Sequence, residues 1–149
     1  MSNTVVYVSG TFDLFHSNHL KMITYGRGLG DTLIVGVSTD ELVCSYKKPP
    51  AVPFEERIAI VEGLKGPDVV IPQRTLDHHE TIENLNIDVF VIGDDWKGKY
   101  DYLKKQGVKV FYFPYGAGVS STNLKKKIYD EYKKLIESSD VHPIPEPKS

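Results

Sequence analysis

The stretch Val5-Val6-Tyr7-Val8-Ser9-Gly10-Thr11-Phe12-Asp13-Leu14-Phe15-His16-Ser17-Asn18-His19 decides the fold. Its first four residues form an apolar run that reads as a buried strand, and Ser9-Gly10-Thr11 breaks the run with small residues, where a strand hands over to a loop. A helix is expected from about Ser17 to Leu29, stopped by Gly30-Asp31. His16 and His19 stand three residues apart at that helix start, beside backbone N–H groups that lack intrahelical partners. The join therefore has the makings of a phosphate site.

Working outward, Thr32 to Val37 is a second apolar strand and completes a βαβ unit. The glycines of Gly26-Arg27-Gly28-Leu29-Gly30 mimic a dinucleotide fingerprint, but a true fingerprint follows a strand and opens a helix, and this one closes a helix. Further strands are expected at Asp68–Pro72, Asp88–Ile92 and Val108–Phe113. Pro53 stands ahead of a helical pattern at Ile58, Ile60, Val61 and Leu64. Other helices are expected at Thr75–Leu85, at Lys99–Gln106 before Gly107, and at about Asn123–Glu137. Ser38 to Pro53 reads as a polar loop, whose Lys47 and Lys48 beside Pro49-Pro50 are either a solvated surface or a flap over a phosphate. Lys125, Lys126 and Lys127 read as a solvated helix face. Asp77-His78-His79-Glu80 has the composition of a metal cluster but, as neighbours on one helix, reads as a solvated helix start.

Apolar strands alternating with helices give an α/β fold, a single-domain doubly wound parallel sheet of five strands with helices on both faces. Residues 1–138 form this domain, and the proline-rich 139–149 is expected to be a frayed tail. In such sheets ligands bind beyond the carboxyl ends of the strands. The polar segments after the first, second, fourth and fifth strands converge on that rim.

With 149 residues and 26% of them charged, the chain is long enough for one core and short for two. A net charge of -2 excludes binding to nucleic acid or membrane by bulk charge, so an anionic ligand needs a local cluster. The lone Cys44 cannot close an intrachain disulfide, and the polar N-terminus does not read as a signal peptide. No apolar run approaches the roughly 20 residues that span a bilayer. A cytoplasmic protein is expected.

The segments GTFDLFHSNH, STDE after the second strand, IDVFVIGDDWKGKYDYLK and GVSST before the last helix together resemble the cytidylyltransferase family, and within it the bacterial glycerol-3-phosphate cytidylyltransferases. The likeness runs from about Val5 to Tyr132. It implies a Rossmann-like nucleotidyltransferase fold and a homodimer. It also implies CTP-dependent transfer of CMP to glycerol 3-phosphate or a similar small phosphorylated alcohol, with release of pyrophosphate and with Mg2+ held mainly by the triphosphate. By the same likeness His16, His19 and Lys48 are catalytic. Gly10, Thr11, Phe12, Asn18, Asp95, Ser120 and Ser121 bind nucleotide, while Lys47, Arg57, Asp40 and Trp96 bind the acceptor. Asp13 reads as an organiser of its loop.

Two positions depart from the family pattern. Asn18 replaces the glycine of H-x-G-H, and Tyr115 replaces the arginine of R-T-x-G-I-S-T-T. Asparagine either crowds the nucleotide's approach or adds an amide contact, and tyrosine supplies at most one neutral donor where arginine would grip phosphate. These departures keep open a relative with another nucleotide or acceptor, such as an adenylyltransferase, or a non-catalytic nucleotide-binding homologue.

Overall fold

The computed structural model describes residues 3–115 and 119–138. β1 (Val5–Gly10), β2 (Thr32–Ser38), β3 (Val69–Gln73), β4 (Val89–Gly93) and β5 (Lys109–Phe113) form one sheet in the order β3-β2-β1-β4-β5, every pairing parallel. β1 lies at the centre, registered from Val5 on Thr32 to Gly10 on Val37. The order reverses between β1 and β4, and a crevice opens beyond the strands' carboxyl ends at that point.

Alternation along β1 divides the core in two. Val6 and Val8 pack with Met22 and Ile23 of α1 (Ser17–Arg27) and Val61 of α3 (Phe54–Glu62) on one face. Tyr7 turns to the other face with Phe90 of β4, Ile82 of α4 (His79–Asn84) and Leu103. Period-two side-chain placement with both faces covered is what makes the strands apolar throughout. α5 (Ser121–Glu137) follows β5. No helix among the described residues is long and apolar enough to cross a membrane.

Several expected elements differ. The segment read as a polar loop after β2 contains a short helix, α2 (Asp40–Cys44), capped by the Thr39 hydroxyl, which accepts from the Leu42 amide at 3.2 Å. Only Leu42 and Val43 are buried there, too few to show a helical period. The helix expected over Lys99–Gln106 is a 3-10 turn over Asp101–Gln106, ended by Gly107 at φ 84°. That left-handed conformation is one glycine tolerates best. The glycine-rich Gly26–Gly30 run does close a helix, with Gly28 as the C-cap of α1. Gly116, Gly118 and the tail at 139–149 lie outside the described residues.

The solvated start expected for α4 is corrected by His78, which is 2% exposed and packed against Phe90 and Tyr100 at ring distances of 4.8 and 5.0 Å. Among the described residues its Nδ1 has no hydrogen-bond partner, and burial pushes the imidazole down to about 4. The unfolded chain takes up this proton near pH 6.5, so between pH 6.5 and 4 it binds more protons than the folded chain, and stability falls as pH falls through that window. The effect of this one group is at most about 3 kcal/mol. In thermal melts from pH 7 to 4.5, His78→Leu is expected to flatten the acid decline of Tm without abolishing it, because buried His19 acts in the same direction. An unchanged slope would contradict the assignment.

Candidate active site

The crevice at the switch point is a cleft of about 740 Å³. Its floor is the β1–α1 join. Phe12 at φ 57° and Leu14 at φ 47° bend this loop through the left-handed region, which non-glycine residues enter at a cost and which clusters at functional sites. The Phe12 ring lies over Gly10, where a Cβ would meet it at 2.9 Å, and it is only 2% exposed. Phe12, expected as a nucleotide contact, lines the cleft and also supports His19, which it meets edge-on at 5.5 Å.

His16 and His19 cap α1 reciprocally. His16 Nδ1 accepts from the Asn18 amide at 3.2 Å, and His19 Nδ1 accepts from the His16 amide at 3.2 Å. The arrangement is a capping box built from imidazoles in place of Ser and Glu. Because both Nδ1 atoms are acceptors, each neutral ring carries its proton on Nε2. The rings stack at 3.8 Å and 22°. Burial lowers His16, and burial followed by the neighbouring His16 pushes His19 down to about 3. The pair therefore enters the cleft as two neutral N–H donors.

Opposite, the Ser120 hydroxyl caps α5 by accepting from the Asn123 amide at 3.1 Å. Ser120 and Ser121 line the cleft at the N-terminus of this 17-residue helix, where free amides and the helix dipole favour an anion. Ser121 also donates its hydroxyl to the Asp13 carbonyl. Asp13 itself is 5% exposed and accepts from the amides of Ala51 and Val52 at 2.8 and 2.9 Å and from Lys125 at 2.8 Å. Burial alone would raise this carboxyl, but the bonds from Lys125, Ala51 and Val52 outweigh it and hold the carboxyl below its usual range.

Lys125 is thus a cleft residue, although its run of three lysines reads as solvated surface; Lys126 and Lys127 do pair outward with Asp130 and Glu131. The available signal was its spacing: Ser121 and Lys125, at i and i+4, share one face of α5.

Lys47 and Lys48 line the cleft from the segment after α2, and Asp95 and Trp96 line it after β4. Partial burial lowers the Lys47 ammonium against the pull of Asp95, and burial raises the Asp95 carboxyl. Tyr115, the residue expected in place of the family arginine, lines the cleft. Its ring lies over Gly93, its hydroxyl donates to Met22 Sδ at 3.5 Å, and burial raises its pKa. It is a wall of the cleft whose one donor is already used.

Three expected ligands stand elsewhere. Arg57 is 1% exposed, and its guanidinium donates to the carbonyls of Val52, Thr11 and Ser38 and to Asp40 at 2.6–2.8 Å. Asp40 also accepts from the Phe54 amide at 3.2 Å. This pair braces the loops instead of facing the cleft, and the expectation that both bind the acceptor is corrected accordingly. Asn18 is 8% exposed and gives its side-chain amide to the Val119 carbonyl at 2.7 Å, so that group is engaged by the protein itself.

Residues 7–141 match the family model described as Cytidylyltransferase-like. The chain is 41% identical over 129 residues to glycerol-3-phosphate cytidylyltransferase of Bacillus subtilis (strain 168), covering 86% of this chain and 98% of that protein. It is 39% identical to ethanolamine-phosphate cytidylyltransferase of Dictyostelium discoideum, covering 80% of this chain and 35% of that protein. Among solved structures, the lipopolysaccharide core biosynthesis protein from Thermoplasma volcanium GSS1 shares the fold, with a TM-score of 0.66 at 24% identity over 79% of this chain and 100% of that one.

Proposed function

The chain belongs to the cytidylyltransferase-like family and is a nucleotidyltransferase, and on that premise we propose that it transfers CMP from CTP to a small phosphorylated alcohol, glycerol 3-phosphate in the first instance. The observation that carries this reading is the pair of neutral imidazole donors facing the start of α5 across one cleft. In the reaction an oxygen of the acceptor phosphate forms a bond to the α-phosphorus while the bond from that phosphorus to the bridging oxygen breaks. The bonding electrons leave with pyrophosphate. No covalent enzyme intermediate is needed, so the protein's task is to position the reactants and to stabilise charge moving onto the leaving group.

His16 and His19 Nε2–H groups donate to the triphosphate, and the amides at Ser120 and Ser121 complete the anion site. Lys47 and Lys48 offset charge at the cleft mouth. A Mg2+ ion bound with the triphosphate would neutralise part of its charge. Asp13 is committed to Lys125 and two amides, which leaves Asp94 and Asp95 as the cleft carboxylates that would hold such an ion. The reading extends to a cytoplasmic homodimer, supported by the family likeness.

The acceptor is read from the aromatic pair beside Asp95. Tyr46 and Trp96 meet edge to face at 5.5 Å, but Lys47 Nζ lies 5.5 Å from the Tyr46 ring and Lys99 Nζ 5.7 Å from the Trp96 ring. One of the protein's own cations thus stands over each ring and would repel an ammonium headgroup approaching Trp96 in the cleft. A cation–π contact at a wet site is worth about 0.5–1 kcal/mol, so loss of one costs a cationic acceptor up to about fivefold.

The test is a pyrophosphate-release assay crossing the four nucleoside triphosphates with glycerol 3-phosphate, phosphoethanolamine and larger polyol phosphates. Release with CTP is expected, with kcat/KM for glycerol 3-phosphate about 2–5-fold above that for phosphoethanolamine and the gap narrowed in Lys99→Gln. Equal or better use of phosphoethanolamine would refute the acceptor assignment. Binding of CTP without release under any pairing would favour the non-catalytic reading.

A further inference from the structure

Asn18 occupies the position that departs from the family motif, and its side chain spans 101 residues of sequence to hold the last loop. Its Nδ2 donates to the Val119 carbonyl at 2.7 Å, and its backbone N–H supports His16 Nδ1 at 3.2 Å. Val119 immediately precedes Ser120, the N-cap of α5. One residue therefore joins the two halves of the anion site, the imidazole pair at the start of α1 and the amides at the start of α5. Glycine at this position has no group that could make the contact.

Two further ties act between the same segments: the Ser121 hydroxyl on the Asp13 carbonyl, and Lys125 on the Asp13 carboxylate at 2.8 Å. Tyr115, where the family carries arginine, gives its only donor to Met22. It leaves the alignment of α5 to these protein–protein contacts.

We propose that Asn18 is a positioning residue, an amide clamp that sets the start of α5 against the imidazole pair before nucleotide arrives, and that it makes no contact with the nucleotide itself. Without the clamp the same contacts to the triphosphate can form, but the Val119–Ser121 backbone must be ordered as it binds, which weakens affinity and leaves the reacting geometry unchanged. The alternative, that asparagine crowds the nucleotide, predicts the opposite sign.

Only the kinetic arm of the test rests on the nucleotidyl-transfer reading. Asn18→Ala and Asn18→Gly are expected to raise KM for CTP about tenfold while kcat stays within about threefold. In the nucleotide-free protein, hydrogen exchange followed by mass spectrometry is expected to show at least ~10-fold faster deuterium uptake in peptides covering Val119–Leu124, with β1 and β4 unchanged. If wild-type protein releases no pyrophosphate but the exchange difference is found, the functional reading fails and the clamp stands. A KM for CTP that is unchanged or lower in both variants, or exchange identical to wild type, overturns the proposal.

Discussion

Replacing His19 with alanine is expected to lower kcat for pyrophosphate release by about 10²–10³-fold, the scale of losing one preorganised donor to developing negative charge. His19 is 8% exposed and held between Phe12 and Phe15 at ring distances of 5.5 and 5.3 Å, and its Nδ1 is engaged by the His16 amide. Its Nε2–H therefore has one orientation, and no reorganisation is needed at the moment of reaction. His16, half-exposed and held through one amide contact, is expected to lose at least ~10-fold on substitution by alanine.

The same geometry fixes a pH signature. Protonating Nδ1 of either ring would turn an acceptor into a donor facing a backbone N–H, so catalysis requires the neutral rings. With His19 pushed down to about 3 and His16 lowered by burial, kcat/KM, which reports the free enzyme, is expected to show no imidazole titration near pH 6.5. Full activity in His19→Ala, or an acid limb centred near pH 6.5 that disappears in the variants, would sink this account.

The parts of the molecule that were legible in the sequence depend on local pattern. An apolar run, a small-residue break and paired histidines marked the β1–α1 join. The alternation of strands with helices was enough for a five-stranded parallel sheet covered on both faces. α2 was missed because two buried residues make no period, and residues 101–106 form a 3-10 turn within the stretch before Gly107 that reads as a helix. The site residues that moved are those whose role is set by distant neighbours. Nothing local distinguishes Arg57 on a helix surface from Arg57 under three carbonyls, and the i, i+4 spacing that sets Lys125 on the face of Ser121 does not show that Asp13 lies against it. His78 shows the same limit in the core, since its burial depends on Tyr7, Phe90 and Tyr100, brought together only by the sheet.

Arg57 yields the largest expected loss of stability. Its guanidinium is fully buried against the carbonyls of Thr11 in the β1–α1 loop, Ser38 at the end of β2 and Val52 before α3, with Asp40 of α2 as counter-charge. Removing it strands three carbonyls and a partly exposed carboxylate. Truncating one partner of such a buried, hydrogen-bonded pair costs about 3–5 kcal/mol. In a chain of this size that corresponds to a fall in Tm of about 10 °C or more for Arg57→Met, which keeps the stem and deletes the charge.

Arg57→Lys is expected to recover little, because one ammonium cannot reproduce a planar fork reaching four acceptors. Activity should fall with it, through displacement of Thr11 and the adjoining phosphate loop, with kcat and KM affected together. A direct ligand of the acceptor phosphate would behave differently: its variants would keep Tm within a degree or two, raise KM for the acceptor and leave KM for CTP alone. Thermal melts beside acceptor and CTP titrations of the two variants separate these outcomes, and an unshifted Tm would return Arg57 to the substrate.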